Sequence, residues 1–141
     1  MVDNDNQYKF IAHAGGGIDQ YIYTNSLEAV ELSIKKGFMQ HNGGLFFRKI
    51  SKNEYEFKTK IKKNHLNAAG ITHGGYIASI IDAGAGTAAH RSANKLPCVT
   101  IALDIKFVGI TKLGENISGF TKILKRTKTL IFLIGVLLLI G

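Results

Sequence analysis

The chain has 141 residues, 45% hydrophobic and 20% charged, with a formal net charge of +8. That is one ordinary globular domain with room for a proper core. The single cysteine, Cys98, excludes an internal disulfide and any multi-cysteine metal site. The polar opening MVDNDNQYKF lacks the apolar segment of a secretory signal, so a reducing cytoplasm is the expected compartment.

Residues 1–23 contain Gly15-Gly16-Gly17 and no clear periodicity. They read as a flexible arm before a single domain over 24–141. Asn25 with Glu28 forms a variant capping box. It opens an amphipathic helix over Ser26–Met39, with Leu27, Val30, Leu32, Ile34 and Phe38 as apolar positions, ended by Gly37 or by Gly43-Gly44. Leu45–Ile50 reads as a strand, and Ser51-Lys52-Asn53 as a turn. Glu54–Lys62 alternates strictly: Tyr55, Phe57, Thr59 and Ile61 share one face, and Glu54, Glu56, Lys58, Lys60 and Lys62 the other. That is the pattern of a half-buried antiparallel strand.

The stretch His65–His90 organises the chain. From Gly75 to Ala89 nearly every residue is small or apolar, and the only carboxylate is Asp82. A helix apolar all round is a buried one. Gly84 and Gly86 each cost about 1 kcal/mol of helix propensity against Ala, which implies something packed very close to the helix, such as a sheet wrapped around it. A buried carboxylate must be paired or hydrogen-bonded. Asp82 therefore reads either as a structural acid bonded to backbone or to Ser79, or as a reactive group. His73-Gly74-Gly75 falls where the helix begins, with free N–H groups and the positive end of the dipole. It reads as a tight turn or as a site for a developing oxyanion.

Gly74 and Asp82 are eight residues apart, or about 12 Å along a helix. One substrate carbonyl cannot reach both in one subunit. If both serve one reaction, Asp82 meets the Gly74 of another copy, as in a dimer with antiparallel helices.

Beyond the helix, Arg91–Pro97 is a polar connection. Cys98–Val108 alternates again as a strand, Gly109–Glu115 is a turn, Asn116–Lys125 is a strand and Arg126–Thr129 is a basic hairpin tip. The last 12 residues, Leu130–Gly141, carry no charge. They fall short of the roughly 20 that a transmembrane helix needs, so no membrane span is expected. Basic residues gather in Arg48–Lys63 and Lys106–Lys128, mostly as solvated strand faces. With no zinc-finger, helix-turn-helix or aromatic RNA-binding pattern, no specific nucleic-acid partner is expected. Five histidines and one cysteine show no zinc spacing.

The set His65, Asn67, Gly70, His73, Gly74, Gly75 and Asp82 resembles that of the hotdog-fold acyl-CoA thioesterases, most closely the PaaI-type branch. The resemblance covers about residues 25–130. It implies an α+β fold, with an antiparallel sheet wrapped around a long central helix over about 74–91, and a homodimer or dimer of dimers. The chain stops before the family's last strand.

The resemblance further implies hydrolysis of acyl-CoA to free acid and CoA, with no cofactor beyond the CoA of the substrate. Gly74 N–H would polarise the thioester carbonyl, with the Asn67 amide holding the carbonyl or the water. Asp82 would act as general base or nucleophile. Thr100 falls where a hydroxyl helps place the water or the Asp, or is simply a strand threonine. His73 would position the turn. Gly75, His65, Phe38 and His41 are substrate-contact candidates, with packing or surface roles as the simpler reading of the last three. Three other functions compete: a dehydratase, whose Asp/His arrangement is not found; an acyl-CoA-binding hotdog protein without turnover, owing to the short C-terminus; and a basic face binding nucleic acid or anionic lipid.

Overall fold

The computed structural model of the chain describes residues 9–10 and 38–140. Strand β1 is Lys9–Phe10, helix α1 Phe38–His41, β2 Phe46–Lys49, β3 Glu54–Lys60, helix α2 Gly74–Ser92, β4 Cys98–Val99, β5 Asn116–Arg126 and β6 Ile131–Ile140. The expected arm over 1–23 lies outside the described residues except for β1, which pairs in parallel with β4. Most of the helix expected over Ser26–Met39 lies outside them too. Its described end, α1, stops at His41, and Gly43 and Gly44 turn the chain at φ +79° and +72°, backbone that favours glycine.

The main sheet is antiparallel in the order β2-β3-β5-β6. The alternation read in β3 holds on the inner side, where Tyr55, Phe57, Thr59 and Ile61 are buried. It fails at Glu56, expected in solvent but 4% exposed. Arg48 of the neighbouring strand and Lys58, at 3.1 Å, fold their cationic groups over its carboxylate. Burial works against the charged form, but the Lys58 and Arg48 hydrogen bonds outweigh it and hold Glu56 below the usual carboxylate value.

Helix α2 has 19 residues, about 28 Å, and lies across the inner face of the sheet. Two apolar clusters bind it there. Tyr76, Ile80 and Ala83 pack with Leu45, Phe57, Ile61 and Ile117 at its N-terminal half. Ala88 and Ala89 pack with Tyr55, Ile123 and Ile131 at its C-terminal half. Small residues let backbone and sheet approach closely. The glycine expectation is met most clearly at Gly84, where an added Cβ would fall 2.3 Å from the Phe57 ring.

The strand expected over Cys98–Val108 is the main correction. Only Cys98–Val99 pairs, and residues 100–110 run without a ladder. Alternation shows which way side chains can point, but a strand also needs a neighbour to hydrogen-bond. Here a cavity lies between this segment and β6. Ile101, Phe107 and Val108 are consequently 66%, 59% and 97% exposed.

Candidate active site

Helix α2 presents Gly74, Ile77, Ile81, Asp82 and Ala85 along one face, at the three- and four-residue spacing of a helix stripe. That face is the floor of a cavity of about 960 Å³, within the range of small-molecule sites. The segment 100–111 and strand β6 form two of its walls. Phe57, Ile117 and Thr121 close it on the sheet side, and Asn67 and Thr72 border it before the helix. The lining is predominantly apolar, with a few polar groups beside the helix.

Asp82 is 4% exposed. The Thr100 hydroxyl donates a hydrogen bond to its Oδ1 at 2.8 Å. Thr100 lies outside any strand, so β propensity does not explain it. Ser79, the other candidate partner, donates instead to the Gly75 carbonyl at 2.7 Å.

At the head of α2, His73 is the cap. Its Nδ1 accepts the Gly75 N–H at 2.9 Å, and its carbonyl accepts the N–H groups of Tyr76 and Ile77 at 2.9 and 3.2 Å. These bonds satisfy the donors that a helix start leaves open. Gly74 N–H forms no hydrogen bond among the described residues, and Gly74 lines the cavity. Asn67 Oδ1 accepts the N–H groups of Ala69 and Ile71 at 2.9 and 3.3 Å. The end of the amide left for a ligand is therefore its NH₂, a donor.

Segment 100–111 is tied down at both ends. Thr100 binds Asp82 at one end. At the other, the Thr111 carbonyl accepts the Thr72 N–H at 2.8 Å and hydroxyl at 2.9 Å, and the two hydroxyls meet at 2.5 Å. Phe107 reaches back over Gly74, to 3.6 Å from where a Cβ would stand. The Thr72–Thr111 pair, 39 residues apart, leaves no local signal in the sequence.

Asp82, Asn67, Gly74 and Thr100 thus share one cavity. The remaining candidates do not line it. His73 and Gly75 are joined to each other in the helix cap. His65 is 1% exposed and stacked on Tyr76, with ring centroids 3.7 Å apart, because its imidazole fills the core beneath the loop. Burial holds it below the usual imidazole value; the nearby Lys62 charge adds to this and the Asn42 backbone opposes it. Phe38 and His41 are exposed on α1, where the His41 carbonyl accepts the Asn64 amide at 2.8 Å. His90, buried at the helix end, bonds through Nδ1 to the Leu96 carbonyl at 2.8 Å.

Among the described residues no three His, Cys, Asp or Glu side chains gather where they could hold a metal ion, and no helix is long and apolar enough to cross a membrane. Lys106 borders the cavity with its ammonium 2.6 Å from the Asp104 carboxylate.

A central helix wrapped by an antiparallel sheet, with its cavity at the helix head, is a hotdog fold. Residues 69–133 match the sequence model of the family described as Thioesterase superfamily. The chain is 34% identical over 73 residues to human acyl-coenzyme A thioesterase 13, a match spanning 52% of this chain and 52% of that protein. It therefore spans about half the length of that relative. Zebrafish thioesterase superfamily member 2 superposes with a TM-score of 0.67 at 24% identity, covering 79% of this chain and 85% of that one. A variant of the phenylacetic acid degradation protein PaaI from Thermus thermophilus gives 0.64 at 16%, covering 72% and 85%. These structures share the fold, including the PaaI-type relative that the histidine-glycine motif suggests.

Proposed function

We propose that this protein hydrolyses acyl-CoA thioesters. The observation that carries the reading is the buried Asp82, aligned by Thr100 in the same cavity as the open Gly74 N–H and the Asn67 amide. The name of the human relative supports the substrate class.

In the reaction, Gly74 N–H donates to the thioester carbonyl and to the oxyanion that forms from it, aided by the helix dipole. Asn67 Nδ2 donates to the same carbonyl or to the attacking water. Asp82 either takes a proton from that water as it attacks the carbonyl carbon, or attacks the carbon itself to form a mixed anhydride with the acyl group. The C–S bond then breaks and CoA leaves as the thiol, with a proton that comes from water; the free acid forms at once on the water route, and on the other when water hydrolyses the anhydride and frees Asp82. No metal or cofactor is required.

The rise of about 12 Å between Gly74 and Asp82 on one helix sets the assembly. The two act on one carbonyl when α2 of one copy lies antiparallel to α2 of a second, so the active unit is a homodimer or a dimer of dimers. Exposed lysines beyond the cavity attract the CoA phosphates by long-range charge.

The test is thiol release from a panel of aliphatic and aromatic acyl-CoA esters, with Asp82→Ala alongside. Release that disappears in the variant supports the proposal. No release from a folded dimer that binds CoA esters contradicts it and favours an acyl-CoA-binding protein without turnover.

A further inference from the structure

Phe57 is 3% exposed and stands opposite Gly119 in the β3–β5 ladder. Its ring occupies the room of two missing side chains. A Cβ on Gly119 would fall 2.1 Å from it, and one on Gly84 2.3 Å. One face of the ring thus lies on the sheet and another on the helix, two residues past Asp82. The ring also borders the cavity, beside Ala85, Ile117 and Thr121.

We propose that Phe57 closes the inner end of the acyl cavity and sets the length of acyl chain that the site accepts. This inference rests on the acyl-CoA reading above. A chain whose carbonyl lies at Asp82 runs into the apolar part of the cavity and stops against the ring. Because both walls that hold the ring are glycine, neither wall has a side chain of its own to move into the space when the ring is removed, and core cavities collapse only as far as their surroundings allow. The space left by a smaller residue stays open, apolar and continuous with the cavity, a room for further methylenes.

The experiment measures equilibrium binding of S-alkyl-CoA thioethers of increasing chain length to the wild-type protein, Phe57→Ala and Phe57→Leu. These analogues cannot be hydrolysed, so the result does not depend on turnover. Wild-type affinity should level off at a certain length. Phe57→Ala should continue to tighten beyond it, by about fourfold per added methylene, and Phe57→Leu over a shorter extension. Thermal melts identify folded variants; should Phe57→Ala not fold, Phe57→Leu decides. The same plateau length in wild type and folded variant overturns the proposal. A wild type that binds thioethers but hydrolyses no thioester defeats the catalytic reading alone, and the plateau shift still judges Phe57. Failure to bind a thioether of any length overturns both.

Discussion

The Thr100 hydroxyl donates to Asp82 Oδ1 at 2.8 Å, joining the segment beyond the central helix to the one carboxylate on that helix. The bond fixes the direction of the acid before substrate arrives. Hydrogen bonds to charged groups contribute about 1.5–3 kcal/mol. Thr100→Val should therefore lower kcat for acyl-CoA hydrolysis by about 10- to 100-fold, whereas Thr100→Ser, which keeps the hydroxyl, should stay close to wild type. Steady-state kinetics separate the two; equal loss in both would assign Thr100 to packing.

Gly84 and Phe57 provide a stability prediction in which two effects oppose. Gly84→Ala gains about 1 kcal/mol of helix propensity. Yet the added methyl enters the Phe57 ring at 2.3 Å, and overpacking a core costs about 1–3 kcal/mol. The clash should win, lowering the urea midpoint. In the double variant with Phe57→Leu the penalty should shrink, a positive coupling that a double-mutant cycle measures.

His65 makes stability depend on pH. Burial lowers its pKa in the folded protein, so below the ordinary value of about 6.5 the unfolded chain binds more protons. Its contribution is complete above that pH and declines as pH falls through it. Urea midpoints should be flat from pH 8 to 7 and fall toward pH 5.5. His65→Gln should be less stable at pH 8 but flatter over the same range. An equal slope in both proteins would place the titration elsewhere.

The tail of the chain forms an exposed face on an edge strand. Phe132, Ile134, Val136 and Leu138 of β6 are each about half exposed, and β6 pairs only with β5 among the described strands. Long, apolar, uncharged edges invite association between chains. Ile134→Lys with Leu138→Lys should reduce light scattering of concentrated protein without unfolding the domain. Unchanged scattering would show that this face does not drive association.

How far the sequence is legible follows from the range of each interaction. The buried helix, the inner face of β3 and the Asp82 motif are written in periodicities and local spacings, and the structure brings Asp82, Asn67, Gly74 and Thr100 to one cavity. Alternation misplaces Glu56 because it knows nothing of Arg48 and Lys58 folding over it. Cys98–Val108 reads as a strand because its side chains alternate, while the missing ladder partner is a tertiary matter. The nearby glycines suggest a close approach, but not that one ring, Phe57, meets both Gly84 and Gly119. Likewise His65, though part of the motif, serves by stacking under the loop on Tyr76, and Phe38 and His41 stay outside the cavity lining.

The most direct test of the central claim compares CoA release by wild type and Asp82→Asn, with thioether binding measured on the same preparations. The substitution keeps the size and one oxygen that can accept the Thr100 hydroxyl, but replaces the other with an NH₂ donor and removes the carboxylate. The account predicts that kcat falls by at least about 100-fold, as for loss of a general base, while thioether affinity changes little. Turnover by Asp82→Asn at the wild-type rate would contradict it, and would move the chemistry to another group in the cavity.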